Sequence, residues 1–79
     1  MSNKEFDAAR DDLIKHIEKC VDQDSRECVA GKFAEIEQSM SYNEFRTTLM
    51  ECMNVAHGYP SLMSPLLRFA AAAANELSY

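Results

Sequence analysis

Residues 6–21 read FDAARDDLIKHIEKCV, and the fold class follows from where the apolar letters stand. Phe6, Ala9, Leu13, Ile17 and Cys20 recur at intervals of three and four, with Ile14 and Val21 widening the stripe. A half-buried strand alternates with a period of two, so this spacing specifies a helix with one apolar face. Ser2 stands three residues before Glu5, the arrangement in which a hydroxyl caps a free amide and the carboxylate reaches back. The first helix is therefore expected over residues 3–21.

The same signals recur downstream. Asp22-Gln23-Asp24-Ser25 is a polar break, and Asp24 precedes Glu27 by three, so a second helix is expected over residues 25–40 on the stripe Val29, Phe33, Ile36 and Met40. Gly31 inside it costs about 1 kcal/mol relative to Ala and reads as a place where another helix crosses closely. Ser41 precedes Glu44 by three, and Phe45, Leu49, Cys52, Met53 and Ala56 follow at helical spacing. That gives a third helix over residues 42–57, with Gly58 as a left-handed stop. Tyr59-Pro60-Ser61 reads as a corner. Ser64-Pro65 pairs a capping hydroxyl with a proline suited to a first helical turn, which starts a fourth helix over residues 65–77.

No run alternates in the manner of a strand, and no linker or internal repeat divides the chain. The expectation is an all-α single domain spanning residues 1–79, with four short helices in a compact bundle or an orthogonal helical array. Seventy-nine residues leave room for one core and little stability to spare.

Charge narrows the classes of partner. Eight basic against thirteen acidic side chains give a net charge of −5, a sign that phosphate backbones repel, so nucleic acid is not expected as a partner. The acid is concentrated early: residues 1–24 carry four basic and seven acidic groups, whereas residues 58–79 carry only Arg68 and Glu76. There is no polybasic cluster to attract a membrane surface and no apolar run near the ~20 residues of a membrane span. The start of the chain lacks the charged-then-apolar pattern of a secretory signal. Three cysteines, Cys20, Cys28 and Cys52, are an odd number and read as reduced thiols. A cytoplasmic location is expected.

Chemistry finds little support. His16 and Cys20 lie four apart, and Cys28, Cys52 and His57 complete a set of metal-type ligands. The chain nevertheless lacks a Cys-x-x-Cys pair or two ligands flanking a tight turn, so no metal is expected. Asp22-x-Asp24 resembles the start of a calcium loop, but Arg26 and Phe33 stand where oxygen ligands are required. Gly31 and Gly58 are the only glycines, so no phosphate-cradling loop exists and no cofactor is expected. Cys52 and His57, five apart, lie about 140° from each other on a helix, too divergent for a nucleophile and its base. Enzymatic activity is not expected.

Association is the remaining reading. Leu62, Met63, Leu66, Leu67, Phe69, Ala70 to Ala74 and Leu77 leave the last helix almost no polar side, which at the periphery of so small a protein implies contact with another molecule. Met50, Tyr59, Leu62, Met63, Leu66 and Phe69 are the candidate partner-binding residues. Asp7, Asp11, Glu18 and Asp22, on one face of the first helix, are a candidate docking strip for a basic partner; a solvated face is the plainer alternative. The leading expectation is a non-enzymatic protein–protein interaction protein, a homodimer acting as inhibitor or adaptor, of a size and charge found among phage and mobile-element proteins. One alternative is a dimeric helix-turn-helix transcription regulator, weakened by a third helix whose one arginine, Arg46, sits with Glu44 and Glu51. The other is a structural or chaperone-like assembly subunit.

Overall fold

A computed structural model describes residues 4–77 of the chain. Among them it shows four α-helices and no strand: α1 (Lys4–Cys20), α2 (Gln23–Ala34), α3 (Tyr42–His57) and α4 (Met63–Glu76), with 3-10 turns at Glu35–Gln38 and Pro60–Leu62. The proposed Ser2 cap lies outside the described residues. Each helix packs on its neighbour in the chain, and α4 returns to pack most extensively on α1. The result is a four-helix bundle with cyclic order α1, α2, α3, α4.

The interior is built from the stripes that define the helices. Phe6, Ala9, Leu13 and Ile17 of α1 are buried, as are Val29 and Phe33 of α2 and Phe45, Cys52 and Ala56 of α3. Ile14, which the sequence places on the edge of the first stripe, is exposed instead. Phe6 and Phe69 meet with ring centroids 5.5 Å apart in a tilted geometry, joining α1 to α4. No buried side-chain nitrogen or oxygen among the described residues lacks a hydrogen bond, as a stable interior requires.

Helix ends show where local signals held and where packing overrode them. At α3, Ser41 Oγ accepts the Glu44 N–H at 3.1 Å and the Glu44 carboxylate accepts the Met40 N–H at 2.8 Å, a capping pair displaced by one residue from the reciprocal form. The second helix begins earlier than expected, with Asp22 at its N-cap and no side-chain cap. It also ends earlier, tightening at Glu35 into a 3-10 turn that keeps Ile36 buried. Met40 consequently falls beyond the helix and is 88% exposed. Gly31 is not a crossing point: a Cβ there would meet nothing within 4 Å. Gly58 ends α3 in right-handed backbone, φ −76°, because the chain continues into a 3-10 turn and needs no left-handed reversal. That turn leads into α4 two residues before Pro65, so Ser64 is inside the helix and caps nothing.

One cap was not foreseen. Arg26 of α2 reaches back to the end of α1, donating from Nε to the Val21 carbonyl at 3.0 Å and from a terminal nitrogen to the Glu18 carbonyl at 2.6 Å. A cation at a helix C-terminus satisfies open carbonyls and opposes the dipole. The α1–α2 corner is thus held by the side chain that immediately follows the polar break.

Candidate interaction surface

The ring of helices has four lateral faces, and the proposed interface residues do not share one. Leu62 and Leu66 are 0% exposed and Phe69 is 1% exposed. They are core, not partner surface, and the expectation that they contact another molecule is corrected on that ground. The physical reason is the position of α4. Reading it as peripheral left its apolar sides uncovered, but α1, α3 and both 3-10 turns pack against it and absorb them. Tyr59 and Met63 are half-buried against the core, and Met50 is 59% exposed.

The acidic strip on α1 is partly compensated. Asp7 pairs with Arg10 at 3.2 Å, and the same guanidinium reaches Glu37 at 3.1 Å and lies over the Phe6 ring. Asp11 and Glu18 are exposed. Asp22 lies past the end of α1 and serves as the α2 N-cap. Asp12, beside the strip, holds His16 at 3.6 Å and Arg68 at 3.4 Å.

The thiols and imidazoles are dispersed. Among the described residues no three His, Cys, Asp or Glu side chains gather as a metal site would need. His16 Nδ1 is 2.8 Å from the Asp12 carbonyl, the Ser61 hydroxyl donates to Cys20 Sγ, and Cys28 is exposed. Cys52 is enclosed, donates to the Lys32 carbonyl at 3.3 Å, and is pushed up to about 12 by burial. A thiol protonated at neutral pH packs rather than attacks.

Three of the four faces are explained by their own chemistry. Between α1 and α4 runs a groove of about 350 Å³ floored by Ala8, Ala9, Ala71 and Ala72, where small side chains let the two backbones approach. Between the Glu35–Gln38 turn and α3 an open polar trough of about 400 Å³ carries Glu35, Glu44 and Glu51. Lys32 bridges Glu51 at 2.9 Å and Glu35 at 3.5 Å, and its ammonium is favoured first by the hydrogen bond it donates to Glu51. Between α1 and α2 a cleft of about 200 Å³ is lined by Leu13, Ile14 and Phe33, of which Ile14 is exposed.

The α3–α4 face differs in composition. At 100° per residue, Tyr42, Arg46, Leu49, Met50, Met53 and His57 occupy an arc of about 100° along one edge of α3. Glu44 and Glu51 sit on the other edge, toward α2. On α4, Arg68, Ala71 and Asn75 turn toward α1, which leaves Met63, Leu67, Ala70 and Ala74 on the edge toward α3. Since α3 packs on α4, the two edges adjoin. Tyr42, Met50 and Leu67 are exposed there, and Leu49, Met53, Met63 and Ala74 are half-buried against the core. No carboxylate lies on either edge.

Sequence reasoning singled out Met50 and Met63 and counted Leu67 in the apolar last helix, but did not set Tyr42 or Arg46 beside them. The signal was present: Tyr42, Arg46, Leu49, Met53 and His57 follow at steps of four, three, four and four, a second stripe rotated away from the core stripe. The chain matches no protein-family model, no curated protein and no solved structure. What the fold defines is an all-α four-helix bundle, in which no described helix is long and apolar enough to cross a membrane.

Proposed function

We propose that this chain is a small, non-enzymatic, cytoplasmic protein–protein interaction protein, an inhibitor or adaptor that covers part of a partner's surface with its α3–α4 face. The observation that carries this reading is that Tyr42, Met50 and Leu67 are exposed on the adjoining edges of α3 and α4, with Leu49, Met53 and Met63 half-buried on the same edges, which carry no carboxylate in a protein of net charge −5. Contiguous apolar surface on a small soluble domain marks association, and methionine adapts its shape to what it meets. Aromatic, methionine and arginine side chains are also the types enriched where proteins touch.

Photo-crosslinking tests this directly. A benzophenone side chain at Met50 is expected to give one discrete adduct of fixed mass in cells, while the same probe at Asp11 gives none. Absence of a discrete Met50 adduct would overturn the proposal.

A further inference from the structure

We infer that Arg46 is the polar anchor of the α3–α4 face, and that the partner there is a different protein presenting a carboxylate ringed by apolar side chains. This inference rests on the α3–α4 face being the binding face and names the chemistry of what covers it. The argument starts from how the chain treats its other cations. Arg10 pairs with Asp7 and Glu37, Arg68 with Asp12, and Lys32 with Glu35 and Glu51, while Arg26 donates to two carbonyls. Lys4, Lys15 and Lys19 each have an acid three or four residues away on the chain, at Asp7, Asp11 and Asp22. Among the described residues Arg46 alone has neither. Its neighbours at three and four positions are Tyr42, Asn43, Leu49 and Met50, and its guanidinium makes no ion pair or hydrogen bond to any described residue.

Arg46 is exposed, one helical turn from Tyr42 on one side and from Met50 on the other. Glu44 and Glu51, two and five positions away, are turned ~140–160° from it around the helix. The face therefore presents a single cation in apolar surroundings. When a partner closes over Met50 and Leu67 and excludes water, a guanidinium left unpaired is strongly unfavourable, so the partner has to supply an acceptor. Its planar fork matches a carboxylate through two parallel hydrogen bonds. A nucleic acid or an anionic membrane brings rows of charge instead, which would meet Glu44, Glu51 and a chain of net charge −5. One acid set among apolar side chains meets one arginine set among apolar side chains. A second copy of this chain does not offer that acid, because its own α3–α4 face carries no carboxylate.

Arg46→Gln removes the charge and Arg46→Glu reverses it. Neither takes away a contact within the chain, so circular dichroism and Tm should match those of the natural protein. Mass spectrometry of the Met50 benzophenone adduct identifies the partner and the cross-linked segment, and the purified partner is then the probe.

The segment should carry an Asp or Glu within about one helical turn of the cross-link. Affinity should fall at least about tenfold for Arg46→Gln and further for Arg46→Glu. Replacing the partner's acid by Lys should restore binding of Arg46→Glu at least about tenfold, the signature of a direct pair. Arg46→Gln binding within about twofold of the natural protein, or a reversal without rescue, would overturn the anchor. An adduct of twice 8.9 kDa would overturn the different protein, and an adduct lost on phosphatase treatment would overturn the carboxylate. No Met50 adduct at all removes the binding face and this inference together, whereas an adduct whose affinity ignores Arg46 leaves the face standing and removes the anchor alone.

Discussion

Replacing Leu62 by Ala separates core from interface most sharply. Leu62 has no exposed surface and sits in the 3-10 turn Pro60–Leu62 that joins α3 to α4 and packs against α1. Removing a fully buried leucine side chain costs about 2–5 kcal/mol, the spread reflecting how far the site collapses. At ~0.05–0.15 kcal/mol per residue, a 79-residue domain holds only about 4–12 kcal/mol in total, so this single change removes a large part of it. With an unfolding entropy of ~2.1 cal/mol/K per residue, about 0.17 kcal/mol/K for the chain, a loss of 3 kcal/mol lowers Tm by about 18 °C.

Thermal and urea unfolding followed by far-UV circular dichroism give the number. Met50→Ala is the reference, since truncating an exposed methionine should stay within about 0.5 kcal/mol, or about 3 °C. Both are measured at several protein concentrations, because association raises Tm by mass action. A Leu62→Ala protein that melts within about 3 °C of the natural one would refute the core assignment.

Three further outcomes are expected. Gly31→Ala should raise stability by about 0.5–1 kcal/mol in chemical denaturation, since the helix gains propensity and a Cβ meets nothing within 4 Å; a loss would mean a helix does cross there. Arg26→Leu should cost about 1–2 kcal/mol by opening the Val21 and Glu18 carbonyls at the end of α1, with hydrogen exchange accelerated at the α1–α2 corner and not in α4. A disulfide reagent at neutral pH should modify Cys28 quickly and Cys52 only on unfolding. Because the folded pKa of Cys52 is raised from 9.0 to about 12 by burial, its contribution to stability is complete below about pH 9. Stability then falls between about pH 9 and 12, as the unfolded thiol ionises first, by up to about 1.4 kcal/mol per pH unit. A flat stability profile over that window in the natural protein, relative to Cys52→Ala, would contradict the assignment.

The helices were legible because each carries its own signal within a few residues: the three-and-four spacing of Phe6 to Ile17, and the pairing of Ser41 with Glu44. Failures occurred where a residue's state depends on a distant segment. Met40 continues the α2 spacing, yet the chain leaves the helix at Glu35 to bring Ile36 inward. Gly58 carries the local mark of a left-handed stop, but Tyr59 and Pro60 require a different path into α4. Arg26 looks like one more surface cation until the end of α1 is placed beside it. Leu62, Leu66 and Phe69 were misread for the same reason. Their hydrophobicity was plain, but whether it meets the chain's own helices or another molecule depends on which helices surround α4.

That error bears on what the surface can do. If α4's apolar bulk were exposed, hydrophobicity alone would drive association and any apolar partner would serve. With α1, α3 and the two 3-10 turns covering it, what remains is a narrow edge: Leu67 and Met63 beside Tyr42, Met50 and Met53. A small apolar edge gives limited affinity, so specificity has to come from arrangement, and the arrangement here is set by charge. Carboxylates occupy α1 and the trough between α3 and the Glu35–Gln38 turn, whose Glu44 and Glu51 are within one turn of the apolar edge around the helix. A partner on the proposed face that is displaced toward that side meets acid. Displaced toward α4, it loses Arg46 and His57. The proposed contact is therefore confined to a strip about one helix wide, and a strip bounded in this way restricts orientation as well as contact.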